Sequence, residues 1–154
     1  MEIIVAFLLT FSGVGQQTPA TGPAPTVLFM CPRGAAKSLM ASAYFQKVAK
    51  ERGLNVRVDF AGTEPDPLLS KSVVAHLQTN GYQIPIEKPR AATAADMQGA
   101  EIVVSMGCDL SRLSAPRGVV KQWQVPDFSA DFAVAEQSIR DQVNALVEEL
   151  LQRK

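Results

Sequence analysis

The reading turns on one stretch, Val27-Leu28-Phe29-Met30-Cys31-Pro32-Arg33-Gly34-Ala35-Ala36-Lys37-Ser38. Residues 26–30 form a short apolar run, the pattern of a strand buried on both faces. The run ends on a cysteine. Small residues follow at Gly34, Ala35 and Ala36, then a cation at Lys37. Ser38 opens a helical pattern through residue 52, with Leu39, Ala43 and Val48 on the core side and Gly53 as its stop. Strand, tight loop and helix make the opening unit of an α/β domain.

Each part of the loop has a chemical use. Residues as small as Gly34, Ala35 and Ala36 let backbone N–H groups converge on one point and form an anion nest. The following helix adds its N-terminal dipole and unpaired amides. Lys37, with Arg33 nearby, adds full positive charge. The same surroundings favour a thiolate at Cys31, the reactive form of cysteine. A tetrahedral oxyanion held above it is placed for in-line attack. The plainer alternative is a buried cysteine at a strand end beside a tight turn.

Outward from this loop, strand-like and helix-like stretches alternate. Val56, Val58 and Phe60 alternate with polar residues as in a strand. Residues 70–80 predict a helix closed by Gly81, and 83–86 a weak extended piece. Residues 93–98 predict a short helix, with Thr93 and Asp96 spaced as in a capping box. Residues 102–106 read as a buried parallel strand and 119–123 as a poorer one. Ile139, Val143, Leu146, Val147, Leu150 and Leu151 form an apolar stripe at helical spacing. The alternation predicts a three-layer α/β sandwich, a four-stranded parallel sheet with helices on both faces. In such sheets the site lies at the carboxyl ends of the strands. That directs attention to the loops after Met30, Met106 and Trp123.

The chain has 154 residues, 47% of them apolar and 19% charged, which suits one globular domain. Lys plus Arg equals Asp plus Glu at 15 each, so the net charge is zero and any anion site is local. The basic excess of a nucleic-acid binder is missing. Two cysteines, Cys31 and Cys108, are too few for a disulfide scaffold or a zinc ribbon, and one histidine, His76, argues against a His-rich metal site. His76 reads as an ordinary boundary residue of its helix.

Residues 1–25 read apart from the domain at 26–154. Residues 3–11 are apolar except for Thr10, small residues follow at Ser12, Gly13 and Gly15, and 16–25 resemble a linker. This is a signal-peptide-like segment lacking a positive start, since Glu2 is the only charge before Arg33. The expectation is a periplasmic or secreted protein if residues 1–15 act as a signal, and a cytoplasmic one otherwise.

The loop at Cys31 resembles the Cys-x5-Arg-Ser loop of low-molecular-weight protein tyrosine phosphatases and of thioredoxin- or mycothiol-linked arsenate reductases. The resemblance continues through Met40-Ala41, Ala61-Gly62-Thr63-Glu64-Pro65, Gly81-Tyr82-Gln83-Ile84, Val103-Val104-Ser105-Met106-Gly107-Cys108-Asp109, Trp123 and Pro126-Asp127. It spans about residues 26–152. It implies Cys31 as the nucleophile, carrying a phosphoryl group or an arsenic adduct. It implies that Pro32, Arg33, Gly34, Ala35, Ala36 and Lys37 wrap the oxyanion, that Ser38 hydrogen-bonds the thiolate, and that Asp127 is the general acid. No metal and no cofactor are expected.

Three positions depart from that pattern. Lys37 stands where the family has Arg, so the charge is kept but the two-pronged grip is not. Gly34 replaces an Asn whose side chain braces the loop, and Arg33 is a candidate to compensate by reaching in. Phe128 follows Asp127 where Pro is usual. Three functions are compatible with these residues. The first is phosphomonoester hydrolysis of the phosphotyrosine type, where Phe128 and Phe132 could wall a phenyl ring, although core packing is the commoner use. The second is arsenate reduction, with Cys108 as resolving thiol and a thiol reductant as partner. The third is a non-catalytic module that binds phosphate or a phosphoprotein.

Overall fold

The computed structural model of the chain describes residues 24–84 and 86–153. The signal-like segment and most of the linker lie outside them. Four strands, β1 (Thr26–Cys31), β2 (Arg57–Gly62), β3 (Ile102–Ser105) and β4 (Val119–Gln122), form one sheet in the order β2-β1-β3-β4, with every neighbouring pair parallel. Four helices accompany them: α1 (Lys37–Glu51), α2 (Lys71–Thr79), α3 (Ala94–Gly99) and α4 (Phe132–Gln152).

The pleat of β1 explains the layers. Val27, Phe29 and Cys31 face one side, where they join Leu39, Phe45, Ile139 and Val143 of α1 and α4. Leu28 and Met30 face the other, against Met97 of α3 and Ala100 just beyond it. Alternate residues of a strand point to opposite faces, and both faces are covered, so all of residues 27–31 are buried. Phe29 centres the first layer, with the Phe45 ring at 5.4 Å and the Trp123 ring at 5.6 Å. Burying such a ring contributes about 2–3 kcal/mol.

The expected elements are present with ends shifted by a residue or two. β1 runs one residue further, to Cys31, and α1 begins at Lys37 rather than Ser38. Ser70 caps α2, accepting from the Val73 amide, and Thr93 with Asp96 forms a capping box on α3. The extended piece at 83–86 is a correction. Gln83, Ile84 and Ile86 join no ladder. The outer edge of β2 is met instead by Ala91, bridged to Gly62.

Candidate active site

β1 carries Cys31 to the carboxyl end of the sheet, and the chain curls through residues 32–36 before α1 begins. Gly34 makes the curl possible with a φ of +60°, a left-handed conformation that side chains disfavour. Its amide donates to the Cys31 carbonyl at 3.1 Å, closing a turn.

The neighbouring segment then fixes which way each peptide faces. The amides of Glu64, Asp66 and Ser70 donate to the carbonyls of Pro32, Arg33 and Ala35 at 2.8, 3.0 and 2.9 Å. The loop's oxygens are thereby turned outward. Among the described residues, the amides of Arg33, Ala35, Ala36 and Lys37 donate to no protein acceptor. Ala36 caps α1 with no side-chain acceptor, and the first turn of α1 carries no acidic residue. Unpaired N–H groups converging in a loop at a helix N-terminus can receive an anion.

Cys31 lines the same cleft as Arg33, Ala36 and Lys37. Its Sγ is 3.1 Å from the Ser38 hydroxyl, and the Ser38 amide donates to it at 3.4 Å. Ser38 is fully buried, so the contact is dry. When the sulfur is a thiolate, the hydroxyl turns to donate to it.

Cys31, Lys37 and Asp127 line one cleft of about 470 Å³, closed on its far side by Met106, Gly107 and Phe128. Lys37 Nζ does not sit free above the sulfur; it is 2.7 Å from Asp127 Oδ1. The Lys37 side chain is 21% exposed and that of Asp127 76%, so the pair spans the mouth from inside to outside. The hydrogen bond and charge of Lys37 hold the Asp127 carboxyl below the usual range.

Arg33 is placed differently from the expectation that it reaches in. Its guanidinium is 67% exposed and pairs with Asp66 at 3.4 Å. Its contribution to the ring is its amide. The Phe128 and Phe132 rings meet tilted with centroids 4.9 Å apart, and Phe132 meets the His76 ring tilted at 5.1 Å. Packing is thus the main use of these rings, with Phe128 alone of the two lining the cleft. His76 is a boundary residue within a polar cluster: the Tyr44 hydroxyl is 2.9 Å from His76 Nε2 and donates to Glu136 at 2.8 Å. Burial and Glu136 hold the Tyr44 phenol well above its ordinary value.

Cys108 follows β3 but packs with the opposite layer, beside Leu110 and Leu113. Its amide donates to Ser105 Oγ at 3.2 Å. Burial pushes its thiol up, against the pull of Ser105 and Thr63, and the charge of Cys31 adds to the rise. Both cysteines are free thiols. Among the described residues, no group of three or more His, Cys, Asp or Glu side chains could hold a metal ion.

A family model described as low molecular weight phosphotyrosine protein phosphatase matches residues 26–141. The chain belongs to that family. It is 26% identical over 124 residues to a Halobacterium salinarum protein named "Putative arsenate reductase", covering 79% of this chain and 87% of that one. In three dimensions this phosphatase-family chain is similar to a thioredoxin-dependent arsenate reductase of Corynebacterium glutamicum, at TM-score 0.74 and 24% identity over 87% of this chain, which spans 65% of the reductase. It is also similar to a low molecular weight protein tyrosine phosphatase of Streptococcus pyogenes, at TM-score 0.70 and 16% identity, covering 82% and 93% of the two chains. The two structural likenesses speak to the fold. The family is enzymatic, and phosphatases and arsenate reductases both stand among the similar proteins.

Sequence reasoning missed Gly62. A Cβ built on Gly62 would lie 2.7 Å from the Gly34 nitrogen and 2.8 Å from the Pro32 oxygen. The signal was present in Ala61-Gly62-Thr63, but its partner lies in another loop. The Lys37–Asp127 pair was likewise invisible, because the two residues lie far apart in sequence and meet only across the mouth of the cleft.

Proposed function

We propose that this protein is a cysteine-dependent phosphomonoesterase of the phosphotyrosine type. The observation that carries the reading is that a carboxylate, Asp127, faces the same cleft as the Cys31 sulfur and the ring of free amides. Hydrolysis needs one thiol and a proton donor at the leaving oxygen, and it needs no resolving thiol.

In this mechanism the Cys31 thiolate attacks phosphorus while the amides of Arg33, Ala35, Ala36 and Lys37 and the Lys37 ammonium hold the non-bridging oxygens. The P–O bond to the leaving group breaks, and Asp127 gives that oxygen its proton. Water, giving a proton to the Asp127 carboxylate, then attacks the cysteinyl-phosphate and releases phosphate and the thiolate. Ser38 donates to the sulfur as it leaves.

Arsenate reduction is the second reading, favoured by the Halobacterium salinarum relative and by a second thiol close enough for Cys31 to influence it. Against it stand the packing of Cys108 in the opposite layer and the raised position of its thiol, which lowers the thiolate fraction needed for attack.

Aryl phosphate hydrolysis, measured on the whole chain under reducing conditions, tests the proposal. Turnover is expected, lost in Cys31→Ser and unchanged in Cys108→Ser. Absence of phosphate release, together with arsenate-dependent oxidation of a supplied thiol reductant that requires Cys108, would replace it with the second reading.

A further inference from the structure

Resting on the phosphatase reading, there is a difficulty to resolve. The proton donor is held by the cation that the oxyanion requires. Lys37 Nζ lies 2.7 Å from Asp127 Oδ1, and both groups line the one cleft above Cys31. An ionised, lysine-paired carboxylate has no proton to give.

The geometry of the pair suggests how the conflict ends. Lys37 is a flexible point charge on a long stem, with no fork fixing its direction. Lys37 opens α1 with its side chain largely covered, while Asp127 is largely exposed on the loop before α4. An oxyanion seated on the amide ring brings two negative charges within reach of the same ammonium. We propose that oxyanion binding takes Lys37 from Asp127, and that Asp127, now beside a dianion, takes up a proton from solvent. The substrate itself thereby arms the acid. The balance is simple: one N–H···O contact moves from the carboxylate to the oxyanion, and one proton enters from buffer to a carboxylate oxygen. Turnover then delivers that proton to the leaving group.

The other groups around Asp127 are accounted for. Cys31 faces it from the end of β1, and Arg33, paired with Asp66, stands on the loop side of the mouth. On its own loop, the Asp131 carboxylate accepts from the Val134 amide and caps α4. From α2, His76 is turned to Tyr44 and Phe132. Cys108, after β3, lies with Ser105 and Thr63. The depressed position of Asp127 in the open site agrees with the pair as its resting state.

Sulfate is the probe, because it stays a dianion across the range of interest. Its affinity is measured by calorimetry between about pH 4 and 6 in Cys31→Ser protein, which removes the titrating thiol. If one proton enters with each anion, affinity falls about tenfold per pH unit. The same slope should vanish in Cys31→Ser/Asp127→Asn. Wild-type protein and Asp127→Asn are run in parallel, so that a poorly folded serine variant does not decide the matter. Sulfate binding with no slope overturns this inference and leaves the phosphatase reading standing. A slope that survives Asp127→Asn also overturns it, assigning the proton to another carboxylate such as Asp66. Folded protein that binds no sulfate overturns both.

Discussion

Gly34 and Gly62 stand back to back: a Cβ on Gly34 would lie 2.8 Å from the Gly62 nitrogen, and one on Gly62 would lie 2.7 Å from the Gly34 nitrogen. Their mutual approach seats the oxyanion loop on the end of β2. Gly34 also needs its left-handed φ, so the cleaner test is Gly62→Ala, which adds bulk at an ordinary backbone angle. Backbone atoms cannot swing aside as a flexible side chain can. The variant is expected to lose about 1–3 kcal/mol of stability and nearly all oxyanion affinity. Urea unfolding and phosphate binding, measured on the same sample, check both halves.

Lys37→Arg restores a two-pronged donor at the position where the charge of the transferring group develops. Losing such a donor typically costs about 10²–10³ in rate, so adding one is expected to raise kcat for an aryl phosphate by about tenfold or more. Steady-state kinetics decide it. An unchanged kcat would mean that the amide ring already supplies what the fork would add.

Ser38→Ala removes the hydroxyl 3.1 Å from the Cys31 sulfur while keeping the amide at 3.4 Å. The buried site loses a small polar group whose net worth is about 1 kcal/mol, so Tm is expected to move little. The departing thiolate loses a donor, and kcat is expected to fall about tenfold. Rapid-quench trapping of the cysteinyl-phosphate should show it accumulating if breakdown is the slowed step.

Asp96 offers a test of the scaffold away from the site. It accepts from Arg90 at 2.8 and 3.0 Å and from the Thr93 amide at 2.7 Å, and Arg90 also donates to Asp59. Burial pushes the Asp96 carboxyl up, but Arg90 and Thr93 outweigh it and hold it below its ordinary value. A carboxyl lowered in the folded state contributes stability that is fully present above the unfolded value of about 3.9. That contribution is lost as pH falls through the folded value. Asp96→Asn is expected to cost on the order of 1 kcal/mol at pH 7 and less near pH 2. Urea midpoints of the two proteins at both pH values give the comparison.

What could be read from residues alone was whatever is local or periodic. The apolar run ending at Cys31 revealed β1, because a parallel strand covered on both faces carries no alternation. Ser70 and Thr93 marked helix starts through hydrogen bonds that reach three residues. Residues 83–86 misled, since extended backbone there finds no ladder, and Ala91 holds the adjoining bridge. Relationships set by the closed fold were not legible. Gly62 matters because of Gly34, and Asp127 meets Lys37 only after the sheet has brought the first and last loops to the same end. Arg33 looked like a spare cation until Asp66 was placed beside it.

The position of β1 between two ladders has one more consequence. Cys31 cannot drift: its strand is bonded to β2 on one side and β3 on the other, so any displacement breaks pairing in both directions. Asp127 has no such anchorage, sitting in the exposed turn between β4 and α4. The molecule therefore separates what must be inherited intact from what can be rewritten. On the phosphatase reading, changes in leaving-group preference would accumulate one residue at a time in the turn that carries Asp127, while Cys31 stays where β1 holds it.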